Sequence, residues 1–203
     1  MAGTMPHAIF VETDLPDGGV AAYAAELPGC AVFARTDADA TAAIPIRVAR
    51  FTAWLRAAGE QAPEFVGDNW YEVERAAATP HARAGFSLDE LPPSEDEFAT
   101  WVGWLELARE ELADALDECG PEGAAHALDA IATQDATFAT TLGGAPPASD
   151  LNPVDQLYAA RQSLSDALDA AGPSADGVRR ILRIAIADDL RAVDRLRGED
   201  PFD

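Results

Sequence analysis

The chain of 203 residues contains no lysine; all 14 of its basic residues are arginine, set against 36 aspartates and glutamates for a formal net charge of -22. So acidic a surface repels phosphate backbones, which excludes direct nucleic-acid binding from the expected functions and favours a basic partner. A high-Arg, high-Ala composition with a solvated acidic surface accounts for the same balance without any partner. Cysteine is equally scarce. Cys30 and Cys119 are far apart and form no Cys-x-x-Cys, so neither a redox pair nor a zinc framework is expected. The three histidines, His7, His81 and His126, are scattered. No apolar run approaches the roughly 20 residues of a membrane span, and the N-terminus has no basic segment followed by an apolar one. The expectation is a cytoplasmic protein without membrane association. Phosphate-binding glycine loops, the Gly-x-Ser-x-Gly elbow and His-Glu-x-x-His are all missing.

What is present divides by periodicity. HAIFVET (His7 to Thr13) reads as a strand that ends at the turn signal Leu-Pro-Asp-Gly-Gly. GVAAYAAEL and CAVFAR read as two more, separated by Pro28-Gly29, and together the three suggest an antiparallel meander. Thr36 then looks like a helix N-cap, with Asp37 and Asp39 placed against the N-terminal dipole. Ile44, Val48, Phe51 and Leu55 form a stripe at helical spacing that should lie on the sheet. Pro45 should kink this helix or begin a second piece. FVGDNWYEVERA (Phe65 to Ala76) supplies a fourth strand. The expected unit is a β-β-β-α-β domain of the α+β class, residues 1–77.

Residues 78–93, rich in Pro, Gly and charge, read as a linker. Over 94–198 four amphipathic stretches follow. The first starts near Ser94 and carries Trp101, Leu105, Ala108, Leu112 and Leu116; the second carries Leu128, Ile131, Phe138 and Leu142. Asn152 caps the third, with Pro153 at its first position and Leu157, Leu164 and Leu168 on its stripe. The fourth runs from about Ser174 with Val178, Leu182, Ala185, Val193 and Leu196. Gly/Pro breaks between them predict an all-α four-helix bundle, most of it built from sequential antiparallel neighbours.

Both halves carry family resemblances. Glu26-Leu27-Pro28-Gly29-Cys30, a strand, and then Thr36-Asp37-x-Asp39 leading into a helix resemble the HicB-like antitoxin domain over residues 7 to about 75. That resemblance implies a partly degenerate RNase H-like fold and, through the best-known members, binding of a small basic toxin. Those members usually continue into a DNA-binding segment, whereas here helices follow. Cys30 reads as a small apolar residue at a strand start, since no base stands near it in sequence.

The helical half resembles the DinB/YfiT-like family over 94–198, through LDAIATQDATF in the second helix and VRRILRIAIADDLRA in the fourth. Metal-containing members bind a divalent ion through one His on the second helix and two, spaced i and i+4, on the fourth. At the matching positions this chain has Ala130, and Asp188 with Ala192, or Ala187 with Arg191 if the register slips. The ligands are missing. The thiol-transferase and hydrolase activities that the resemblance implies depend on that metal and do not carry over.

The expected function is therefore a non-catalytic, two-domain binding protein. It would have no catalytic residues, cofactor or metal, and would act through a protein partner, a small ligand or a homodimer. Two alternatives stay open: a DinB-like metal-dependent transferase or hydrolase with a carboxylate-assisted site (Asp135, Asp188, His126), and an antitoxin-like partner of a small basic protein. Three charged residues interrupt apolar stripes in the helical half: Asp135, Arg161, and Asp188 or its neighbour Asp189. Buried charges persist only when paired. The expectation is that Arg161 reaches Asp135 or Asp188/Asp189 inside the bundle, as a polar pocket where relatives hold a metal. The alternative is that all three snorkel into water at the edge of the stripe.

Overall fold

The computed structural model describes residues 6–65, 69–79, 82–120, 125–148 and 151–199. It is a four-stranded mixed sheet followed by helices, and it divides between Ser87 and Leu88 into two compact units.

In the first unit β1 (His7–Thr13), β2 (Val20–Ala24) and β3 (Ala31–Ala34) form the expected meander. Helix α1 (Asp37–Ala57) then carries the chain across to β4 (Trp70–Ala77). The sheet order is β3-β2-β1-β4, with β1 parallel to β4 and the other pairs antiparallel. A helical crossover is what a parallel pair requires. The β1–β4 register slips at a bulge between Ile9 and Phe10. Strand alternation sends Ile9 and Val11 to one face and Phe10 and Glu12 to the other, and all four are buried. Ile44, Val48, Phe51 and Leu55 of α1 are buried as well, so the expected stripe is the helix's packing face. Thr36 caps α1 by accepting from the Asp39 amide at 3.2 Å. Pro45 opens no second helix: α1 runs through it as one element.

Leu-Pro-Gly-Cys is a tight turn. The Leu27 amide donates to the Ala24 carbonyl at 3.0 Å, Cys30 closes back on Leu27 at 2.9 Å, and Gly29 supplies the positive φ of 87°. Cys30 is fully buried, which pushes its thiol up to about 12. A thiol so far from ionising is no nucleophile at neutral pH.

The stretch 78–93 is not a free linker. Ala78, Ala84 and Phe86 are buried in the first unit, Phe86 stacks on Phe10 with ring centroids 4.7 Å apart, and the Ala78 amide donates to the Thr13 carbonyl at 2.8 Å. Its second half belongs to the helical unit. There the short 3-10 turn Ser87–Glu90 brings Asp89 against Arg183, Nη2 to Oδ2 at 2.6 Å, with both side chains buried.

The second unit contains α2 (Glu95–Cys119), α3 (Ala125–Thr141), α4 (Pro153–Ala171) and α5 (Val178–Leu196). Ser94 and Glu97 form a reciprocal capping box, while Asn152 caps α4 through the Val154 and Asp155 amides. Helix α5 begins later than Ser174 suggests, after Gly177 at φ 76°. Leu112, Leu116, Leu128, Ile131, Leu157, Ala160, Ala192 and Val193 bring all four helices into one apolar cluster. Packing order is not chain order. The extensive contacts are α3 on α4 and α2 on α5, with α3 also against α5. Of the antiparallel neighbours expected from sequence, only α3 and α4 are among these pairs. No helix among the described residues is long and apolar enough to cross a membrane.

Candidate functional site

Besides the buried Arg183–Asp89 pair, four charged side chains, one from each helix, meet in the core of the helical unit. Arg109 (α2), Asp135 (α3), Arg161 (α4) and Asp189 (α5) are each at most 6% exposed. Helical periodicity puts them there. Arg109 follows Leu105 by four and precedes Leu112 by three; Arg161 stands in the same relation to Leu157 and Leu164. Leucines hold both faces inward, and the guanidiniums go with them.

Each arginine contacts both aspartates. Arg109 Nη2 lies 2.8 Å from Asp189 Oδ1 and 3.0 Å from Asp135 Oδ2, and its Nε donates to Asp189 Oδ2 at 3.1 Å. Arg161 Nε donates to Asp135 Oδ2 at 3.0 Å, and its Nη2 lies 3.3 Å from Asp135 Oδ1 and 3.0 Å from Asp189 Oδ2. The remaining terminal nitrogens go to backbone: Arg109 Nη1 donates to the Leu157 carbonyl at 3.0 Å, and Arg161 Nη1 to the Leu105 carbonyl at 3.3 Å.

Two positive and two negative groups make a neutral cluster. That matters because an isolated charge buried this deeply costs several kcal/mol. Burial pushes the Asp135 carboxyl up, against the pull of Arg161 and Arg109. It also works against the charge of Arg109, but Asp189 and Asp135 outweigh it and hold that guanidinium above the ordinary arginine range.

The structure thus joins Asp135 to Arg161, as the sequence suggested, and adds two corrections. The carboxylate on α5 is Asp189, not Asp188, which is the more exposed of the pair. Asp189 lies seven residues after Leu182 and four after Ala185, in phase with the stripe, whereas Asp188 is one position off. Arg109 was missed although it carries the same leucine spacing as Arg161.

The position read as replacing a metal-ligand His, Ala130, is exposed on α3, as is His126. Among the described residues no group of three or more His, Cys, Asp or Glu is placed to hold a metal ion. The two carboxylates in the core face guanidiniums, which take up the lone pairs a cation would need. The residues present do not fit the divalent ion that the helical resemblance implies.

A further buried carboxylate lies in the sheet unit. Glu12 is fully buried on β1, where it accepts from the Tyr23 hydroxyl at 2.8 Å, the Ala84 amide at 2.5 Å, and Arg83 Nε and Nη2 at 3.1 and 3.0 Å. Arg83 also donates to the Tyr23 hydroxyl and lies over the Phe33 ring, 5.7 Å from its centroid. Burial alone would push the Glu12 carboxyl up. The charge and hydrogen bonds of Arg83, with those of Ala84 and Tyr23, overcome that and hold it below the usual glutamate value. Glu12 therefore ties residues 83 and 84 to the sheet. Sequence reading passed over it, although it shares the inward phase of Phe10 on β1.

Compared with known proteins, the chain matches no family model, no curated protein and no solved structure. What the geometry itself defines is an α+β protein whose sheet unit and helical unit each bury carboxylates paired with arginines.

Proposed function

We propose that the protein is a non-catalytic, two-domain binding protein: a HicB-like domain followed by a DinB-like four-helix bundle in which the arginine–aspartate quartet replaces the metal site. The observation that carries the reading is the pairing of both core carboxylates with Arg109 and Arg161, each held at 3.1 Å or less by at least one guanidinium nitrogen. A carboxylate committed in this way can neither ligate a cation nor act as a general base. The HicB-like half is supported by the strand order β3-β2-β1-β4, by the helix between β3 and β4, and by the tight turn at Pro28-Gly29. The bundle is supported by one apolar cluster drawn from α2 to α5. Function then rests with the surface, through a protein partner or a small ligand, and the excess of acidic residues would favour a basic partner.

Elemental analysis of the purified chain, with melting curves in EDTA and in added zinc or nickel, tests the reading. The expected result is no stoichiometric divalent ion and an unchanged melting temperature. One ion per chain that disappears in Asp135→Asn would overturn it and restore the enzyme alternative.

A further inference from the structure

The quartet is symmetric in a way its chemistry does not require. Arg109 donates to the carbonyl of Leu157, the residue four before Arg161, and Arg161 donates to the carbonyl of Leu105, the residue four before Arg109. Exchanging α2 with α4 and α3 with α5 maps each of these bonds onto the other. The same exchange turns the α2–α5 packing into the α4–α3 packing and returns α3–α5 to itself.

The sequence carries the same operation. LELAREELADALDECGP (105–121) and LYAARQSLSDALDAAGP (157–173) share Leu-x-x-Ala-Arg-x-x-Leu-x-Asp-Ala-Leu-Asp-x-x-Gly-Pro. Their helices also end alike: Gly120 and Gly172 have φ of 77° and 70°, and each donates its amide to the leucine carbonyl four residues back, at 2.8 and 2.9 Å. Leu128 and Asp135 on α3, with Leu142 just past its end, recur at the same spacing as Leu182, Asp189 and Leu196 on α5.

We infer that the helical unit is two tandem copies of one helical hairpin, 94–144 and 152–198, and that the surface joining them is self-recognising. Each hairpin carries one inward Arg on its first helix and one inward Asp on its second, so any two such hairpins complete a neutral quartet. Extensive packing runs between hairpins, α2 on α5 and α3 on α4. A hairpin from a second copy of this chain can take the place of the chain's own. The protein therefore has a built-in route to a hairpin-exchanged dimer, with residues 145–148, between α3 and α4, as its hinge.

Exchange of this kind is forced when the hinge is too short to fold back. The test is the full chain with Ala145 to Ala148 deleted, sized by light scattering and followed by circular dichroism. The expected product has twice the mass of one chain and retains its helicity, and adding Arg161→Ala to the deletion removes that dimer. Three results overturn the inference: a helical monomer, a deletion chain that loses its helicity, or a dimer indifferent to Arg161→Ala, which would be held through some other surface.

Discussion

The helical quartet and the Glu12 site of the sheet unit both bury carboxylates under arginine, but the two arrangements hold different things. In the helical unit all four partners stand on regular helices, and their charges cancel inside a leucine core. In the sheet unit only Glu12 and Tyr23 stand on strands; Arg83 and Ala84 belong to an irregular segment that these bonds fasten down. The first arrangement fixes how helices meet, and its loss strands charges in the centre of the unit. The second fixes a strap, and its loss frees chain at the border of the unit. Similar chemistry sets the packing of a whole unit in one place and local order in the other.

The largest effect is expected where charges would be stranded deepest. Arg161→Ala or Arg109→Ala should each cost about 3–5 kcal/mol by leaving Asp135 and Asp189 short of a partner. Urea unfolding measures this, and a loss below about 1 kcal/mol, as for an exposed pair, would contradict the burial described.

Glu12→Gln should cost about 1.5–3 kcal/mol, the range for hydrogen bonds to a charged group. Its signature should be local: faster hydrogen exchange at the Ala84 amide, with amides of α4 unchanged. Equal acceleration in both units would erase the contrast between them.

Acid should separate the units further. The carboxyl of Glu12 sits below its ordinary value when folded, so the unfolded chain takes the proton first. Its stabilisation is complete above the ordinary glutamate range and is lost as pH falls from there through the folded value. Asp135 is shifted the other way, so on acidification the folded state takes the proton first and this group adds no loss over that interval. Exchange at Ala84 should accelerate at a higher pH than exchange in the helical core, and the reverse order would break the comparison.

Replacing the whole quartet with apolar residues of similar volume should cost little or even stabilise, since buried ion pairs contribute specificity more than stability. Chemical denaturation of such a variant measures it; a loss as large as that of Arg161→Ala would assign the quartet a net stabilising role. Ser94→Ala should remove about 1 kcal/mol by taking away the α2 cap, again by urea unfolding.

What could be read from the sequence depended on how local its cause was. Thr36, Ser94 and Asn152 mark helix starts because a cap acts within one turn, and β1 was legible because turn residues bound it. Asp135 and Arg161 could be found because apolar residues three, four and seven positions away fix the phase of a helix. Arg109 carries the same signal, and the same phase separates Asp189 from Asp188. The strap at 82–87 has no period: Ala84 and Phe86 are held by Glu12 and Phe10 more than seventy residues earlier, and their Pro/Gly-rich setting imitates a linker. The pairing of α2 with α5 is equally remote from any local cue.

The bulge between Ile9 and Phe10 bears on how copies of this chain behave when crowded. It lies beside β4, an edge of the sheet that carries Glu72, Glu74 and Arg75, with Arg75 paired to Asp37 at 2.8 Å. At the opposite edge, β3 is only 4 residues long. A growing cross-chain ladder needs a long, flat, unpaired edge, and both bulges and charges spoil one. Fibrous association by strand addition therefore has poor footing at either side of this sheet, and a solution of the folded protein should resist it even where its acidic repulsion is screened by salt.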